Sequence, residues 1–264
     1  MSLFHRLKTL WHTLRGNTYS WPAQDISLPG GREFHLVGSI HMGTQDMSPL
    51  PPKLLQKIAR ADALIVEANI AGSDTPFRDL PEFPPLEERL SELQLAALDK
   101  QARELGLSLT LFSNQPLWQI AMVLQATQAQ QLGLRPDYGI DLQLIQAAQA
   151  RQIPVVELEG AERQIALLCE LPDNGMALLD DTLEHWHTNA RLLQMMISWW
   201  LEHPPAAQDV KLPNTFSEEL YDVLMHKRNR AWRDFLCELP AGHYVVAVGA
   251  LHLYGEGNLA DIMT

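Results

Sequence analysis

Two alternating patterns of apolar and polar residues run along the chain. Short, near-continuous runs rich in Val, Ile and Leu occupy Phe34–Gly38, Ala63–Glu67, Ile153–Glu159 and Tyr244–Gly249, as strands covered on both faces require. Between them, longer stretches predict helices over 52–61, 86–105, 116–132, 139–151, 160–170, 174–201 and 216–238. Thr215-x-x-Glu218 at the head of the last stretch has the form of a capping box. Residues 73–85 hold four prolines and read as a loop, as do residues 203–214. This alternation predicts an α/β (α+β) fold: a mixed, mostly buried sheet from two related halves, flanked by helices. The chain reads as a single domain over 1–264, with an inserted helical region at 86–132 that could cap a site, hinged by the proline-rich loop.

Composition narrows the function. The net charge of −12 argues against a nucleic-acid partner. Cys169 and Cys237 match no zinc or redox spacing and cannot form a disulfide framework, so a reducing compartment is expected. No run approaches the ~20 apolar residues of a membrane span, and the N-terminus lacks the apolar core of a secretory signal. A cytoplasmic location is the expectation.

The most informative chemistry is an internal echo. Gly38-Ser-Ile-His41 follows one apolar run, and Gly249-Ala-Leu-His252 follows another. Each glycine permits a sharp turn or a close backbone approach. Each histidine is thereby offered at a strand's carboxyl end, where open α/β sheets place their binding crevices. Two further apolar runs finish in carboxylates, at Glu67 and at Glu157 with Glu159. A carboxylate ending a buried run must be paired, metal-bound or exposed at a rim. Two imidazoles and one or two carboxylates make a divalent-metal set. In the last helix, Arg228 falls on the face of Leu220, Leu224, Trp232 and Phe235. A buried guanidinium needs a carboxylate or an anionic ligand. Glu67, Glu157, Glu159 and the oxyanion of a reacting carbonyl are the candidates.

Other residues read as structural. His185 and His187, two apart, point to different faces. Asp180 and Asp181 suit the positive end of a helix. Asp137 or Asp141, in the turn Arg135-Pro-Asp-Tyr-Gly139-Ile-Asp141, reads as an N-terminal cap. Met195, Met196, Trp199 and Trp200 read as core or interface. The chain has no GxSxG, HExxH, GxxxxGK[ST] or GxGxxG motif.

The paired Gly-x-x-His motifs, with IVEAN, YGID, VELEGAERQ and RNRAW between them, resemble the TraB/GumN/Tiki family over essentially the whole chain. That resemblance implies a metal-dependent peptidase of the Tiki type, using manganese or cobalt, or zinc. It maps the metal-binding histidines onto His41 and His252, the strand-end acid onto Glu67 and the late arginine onto Arg228. Leu158-Glu159-Gly160 matches a family segment that carries threonine in place of Gly160. The family is also similar to erythromycin esterases and to haem-binding lipoproteins of the ChaN type.

The expectation is therefore a metallohydrolase that cuts a peptide or amide bond of a peptide or small-molecule substrate. In it Glu67 is a metal ligand or general base, Arg228 steadies the oxyanion and Glu159 orients a histidine. The alternative from another class is a non-catalytic or regulatory protein that holds haem or a peptide in the same crevice. A third reading is a metal-free hydrolase with histidine as general base.

The N-terminus adds one further element. Leu3, Phe4, Leu7, Leu10, Trp11 and Leu14 recur at helical spacing, while Arg6, Lys8 and Arg15 lie off that stripe. Such a helix docks on its own domain or touches an anionic membrane surface weakly. Chains with and without residues 1–16 should stay in the supernatant equally when spun with anionic liposomes. Pelleting of the full chain alone would establish a membrane contact.

Overall fold

Five strands form one mixed sheet in the computed structural model, which describes residues 19–71, 83–205, 210 and 212–264. The N-terminal amphipathic segment and most of the proline-rich loop fall outside the described residues. In chain order the strands are β1 (Ala23–Leu28), β2 (Arg32–Ser39), β3 (Ala63–Val66), β4 (Val155–Glu157) and β5 (Gly242–Gly249). Their spatial order is β1-β2-β5-β3-β4. The β2-β5-β3-β4 pairs are parallel, and only β1 runs antiparallel, at an edge. The sequence pattern missed β1, because Ala-Gln-Asp-Ile-Ser-Leu is only half apolar and an edge strand needs no continuous apolar run.

The central strands show period-two sorting of apolar side chains. Leu64, Val66, Val245 and Ala247 face one core, and Ile65, Val246 and Val248 face the other. Helices α1 (Pro52–Ala59) and α5 (Ile140–Gln149) cover the first face. Helices α10 (Lys227–Glu238) and α11 (Leu259–Met263) cover the second. Each fully buried Leu, Ile or Val on these strands contributes roughly 1.5–3 kcal/mol. A third core lies within α2 (Leu86–Arg89), α3 (Glu92–Glu104), α4 (Leu117–Gln131) and α7 (Met176–Glu184), with Leu168 of α6 (Ala161–Cys169) packed against it. Among the described residues no helix is long and apolar enough to cross a membrane.

Three predicted helices are interrupted, each for a local reason. The expected 86–105 helix breaks at Leu90, which is extended (φ −118°, ψ 143°). Ser91 then starts α3 afresh with a capping box: its side chain accepts from the Gln94 amide at 3.3 Å, and Gln94 accepts from the Ser91 amide at 3.0 Å. The expected 174–201 helix breaks at His185 into α7 and α8 (Trp186–Leu201). The break lets α7 pack in the helical core while the far end of α8 packs on the sheet, with Trp200 in one sheet core and Trp199 in the other.

The third, expected over 216–238 with Thr215 as its cap, starts at Glu218 as α9 (Glu218–Tyr221). Thr215 is buried and makes no capping bond, and Ser217 is the residue before the first turn. The Ser217 amide donates instead to Asp181 at 2.7 Å. Asp180 and Asp181 therefore do not open a helix of their own. They lie mid-helix in α7, and Asp181 serves the amino end of α9.

After α9 the chain makes a π-helical turn, Asp222–His226, and runs directly into α10. This adds one residue to the spacing of the buried stripe, which becomes Leu220, Met225, Asn229, Trp232 and Leu236. Leu224 and Phe235, expected on that stripe, are half-buried at its edge.

Two close approaches position the histidine loops. A side chain on Gly38 would meet Ala250 and Pro22 at 3.1 Å, so its absence lets the turn after β5 pack against β2. A side chain on Gly139 would stand 2.3 Å from the backbone oxygen of His41. Gly139→Ala should therefore cost about 1–3 kcal/mol as the His41 loop or the start of α5 shifts. An unchanged urea midpoint would show that this approach is not a tight one.

Candidate active site

The parallel register brings four strand ends to one edge. Ser39 of β2 stands opposite Gly249 of β5, and Val66 of β3 stands opposite Ala247 of β5 and Glu157 of β4. His41 follows β2 by two residues. His252 sits in a 3-10 turn, Ala250–Leu253, that directly follows β5. Glu67 is the residue after β3, and Glu159 lies two residues beyond β4 with its amide donating to the Glu67 carbonyl at 3.1 Å.

Arg228 links these ends to α10. Its Nη2 donates to Glu67 Oε2 at 2.6 Å and to Glu159 Oε2 at 2.9 Å, and its Nε donates to Glu159 Oε1 at 3.0 Å. The guanidinium carbon lies 4.6 Å from the Trp232 ring centre, a cation–π contact. The Trp232 indole N–H donates to Glu159 at 3.0 Å. The remaining nitrogen, Nη1, is 3.4 Å from His252 Nε2. Of the partners open in the sequence, Glu67 and Glu159 hold Arg228. Glu157 points away and accepts the Asn69 amide at 2.5 Å.

Glu67 is 6% exposed. Its Oε1 accepts the Gly249 amide at 2.6 Å, and its Oε2 also accepts from Gln164 at 3.2 Å. Burial alone would raise its pKa. The charge of Arg228 outweighs burial, helped by His252, His41 and the Gly249 amide, and the carboxyl falls to about 2. A carboxylate of that pKa is a weak base, so holding Arg228 and the end of β5 is its plain task.

The two histidines are held by different oxygens. His252 Nδ1 lies 2.7 Å from Asn229 Oδ1. The Asn229 amide nitrogen donates to the Gly257 carbonyl at 3.1 Å, which sets the amide's orientation. The His252 proton therefore sits on Nδ1, and Nε2 keeps its lone pair toward Arg228. Burial holds the His252 pKa down at about 3 against the pull of Glu67, so the ring is neutral. His41 Nδ1 lies 2.9 Å from Asp141 Oδ2, and its side chain is 65% exposed. The Asp141 charge holds His41 above the ordinary imidazole range.

These partners differ from the sequence-based expectation. Glu159 touches no histidine in these bonds; it serves Arg228 and Trp232, because the strand ends at Glu157 and the chain then turns toward α10. Asp141 is not the N-terminal cap. Gly139 holds that position, and Asp141, buried in the first turn of α5, faces His41. Asn229 was missed; its signal was an amide on the buried stripe beside Arg228.

Sequence profiles decide the family. That of the TraB/PrgY/gumN family matches residues 24–264. The chain belongs to the TraB/PrgY/gumN family. It is 67% identical over 263 residues to a protein of Escherichia coli (strain K12) named "Uncharacterized protein YbaP", with all of both chains covered. It is 66% identical, with the same coverage, to the protein of that name from Shigella flexneri. No solved structure matches this TraB/PrgY/gumN chain.

Donor chemistry tests whether a metal suits the site of this TraB/PrgY/gumN protein. Both imidazoles have Nδ1 against an oxygen, which leaves Nε2 for a ligand; His252 has it unprotonated, whereas His41, held protonated beside Asp141, would give up a proton on binding a metal. The two imidazoles fit. Glu67 is committed to Arg228, Gly249 and Gln164, and among the described residues no three His, Cys, Asp or Glu side chains stand at metal-holding spacing.

Arg228→Met leaves two buried carboxylates without their cation and should destabilise the fold by ~3–5 kcal/mol. Glu67 is depressed from 4.5 to about 2. Its stabilisation is therefore full above pH 4.5 and is lost as pH falls through about 2. The wild type should itself lose stability below about pH 6.5, because buried His252 stays neutral while the unfolded chain protonates, and relative to it the variant should gain stability as pH drops from about 7 to about 5. Urea midpoints against pH check this, and parallel profiles would sink the account.

Proposed function

We propose that this protein is a metal-dependent hydrolase that cuts a peptide or amide bond at the carboxyl-terminal edge of its sheet. One observation carries the reading: two imidazoles on neighbouring strand ends, each anchored through Nδ1, flank a buried Glu67–Arg228 pair. Nε2 of His41 and Nε2 of His252 are the atoms that would hold a divalent ion, with Glu67 beside them. Such an ion supplies Lewis acidity for the scissile carbonyl and lowers the pKa of the attacking water.

The chain's own groups do the rest. Asp141 and Asn229 fix the ring orientation and tautomer of the two histidines. Arg228 presents Nη1 beside His252 as a charged donor for the oxygen that becomes negative as the carbonyl is attacked. Glu67 and Glu159 keep that guanidinium fixed, so little reorganisation accompanies charge development. Trp232 shields the cluster from water on the α10 side and strengthens its electrostatics.

A second reading, a metal-free hydrolase, is favoured by the neutral His252, whose Nε2 is unprotonated and faces Arg228 Nη1 at 3.4 Å.

Plasma mass spectrometry of the untagged protein, grown with manganese, cobalt and zinc, should find near-stoichiometric metal. His41→Ala combined with His252→Ala should lose it. A peptide-library digest should then show cleavage that chelation abolishes and that His252→Ala reduces roughly 10²–10⁴-fold. Cleavage surviving exhaustive chelation would move the assignment to the metal-free reading. Tight binding of uncut peptide or haem would move it to a binding protein.

A further inference from the structure

A cavity of about 570 Å³ opens beside the turn that carries His252. Leu192, Leu212, Phe216, Tyr221, Met225 and Leu251 supply its apolar walls. Leu251 immediately precedes His252, and Met225 lies three residues before Arg228 on the continuous helical run, so the cavity abuts the proposed centre. The π-helical turn Asp222–His226 contributes both Met225 and His226 to the lining. The extra residue of that turn therefore shapes this space.

The charge of the cavity is one-sided. Among the described residues, Glu218 and Glu256 are the charged acids of the lining, and no Lys or Arg joins them. Both glutamates are exposed, and among the described residues neither is paired with a cation. The field of Glu256 reaches inward: burial raises the Tyr221 hydroxyl pKa, and Glu256 raises it further. The volume falls in the range of small-molecule sites, where apolar walls carry a few placed polar groups.

We propose that this cavity is a substrate subsite for a side chain with an apolar stem and a cationic tip, of the lysine or arginine type. The stem packs along the Phe216–Met225–Leu251 wall, as long cationic side chains do on apolar surfaces. The charged tip reaches Glu218 and Glu256 at the mouth. The inference rests on the hydrolase reading for its role, but occupancy can be tested without turnover.

Calorimetry on the full chain compares phenylbutylamine, phenylbutanol and phenylbutyrate, three probes of one shape and different charge. The amine should bind about tenfold more tightly than the alcohol, with the carboxylate weakest and the preference shrinking as salt rises. Glu218→Gln with Glu256→Gln should remove the preference while leaving the alcohol unchanged. Leu212→Trp, which fills the mouth, should weaken all three. His252→Ala should keep the amine preference. Equal affinity for the three probes, or a preference that survives the double glutamine change, would overturn the subsite. In the peptide digest, cleavage with no enrichment for Lys or Arg beside the cut bond would overturn it while leaving the hydrolase reading intact. A retained amine preference without any cleavage would do the reverse.

Discussion

The site is organised around a guanidinium that cannot lose its charge inside a largely buried cluster. Arg228 comes from α10 on one face of the sheet, and both its carboxylate partners come from strand ends. Each carboxylate alone would be costly to bury, and so would the arginine. Together they satisfy one another, with the Gly249 amide, Gln164 and the Trp232 indole taking remaining positions. The cluster therefore locks the helix to the sheet and fixes the end of β5, from which the turn carrying His252 departs. Removing Arg228 leaves two carboxylates buried without their counterion.

Around that cluster the two histidines are chemically unequal, although their sequence contexts are nearly identical. His252 is buried against a neutral amide and stays uncharged. His41 is exposed beside a carboxylate and holds a proton more tightly. The partner atoms account for the difference: an amide oxygen fixes a tautomer, whereas a carboxylate also stabilises the imidazolium. A matched pair of motifs thus yields two functional groups with different proton affinities.

The legible part of the site was the part written in local patterns. Gly-x-x-His after an apolar run marks a strand end whatever the rest of the fold does, and Arg228 stood out because it interrupts an apolar helix face. The choice between Glu157 and Glu159 was not legible. Two residues apart, they would share a face if the strand continued, but β4 stops at Glu157 and the alternation rule stops with it. The π-helical turn was equally hidden. A regular helical period put Leu224 on the buried stripe, where the extra residue puts Met225 instead.

By itself the sequence determined which residues had to be the buried central strands, which carried charge into apolar surroundings, and which histidines would stand at strand ends. Those properties depend on the period of a strand or helix and on the cost of burying charge, both of which act over a few residues. The tertiary structure alone decided which strands are neighbours, and hence that His41, Glu67, Glu159 and His252 share one edge. It also decided that Asp141 and Asn229 are the oxygens behind the two rings. These pairings join segments about 23 to 100 residues apart. At that distance only the parallel register of the sheet and the packing of α5 and α10 against it bring the atoms together.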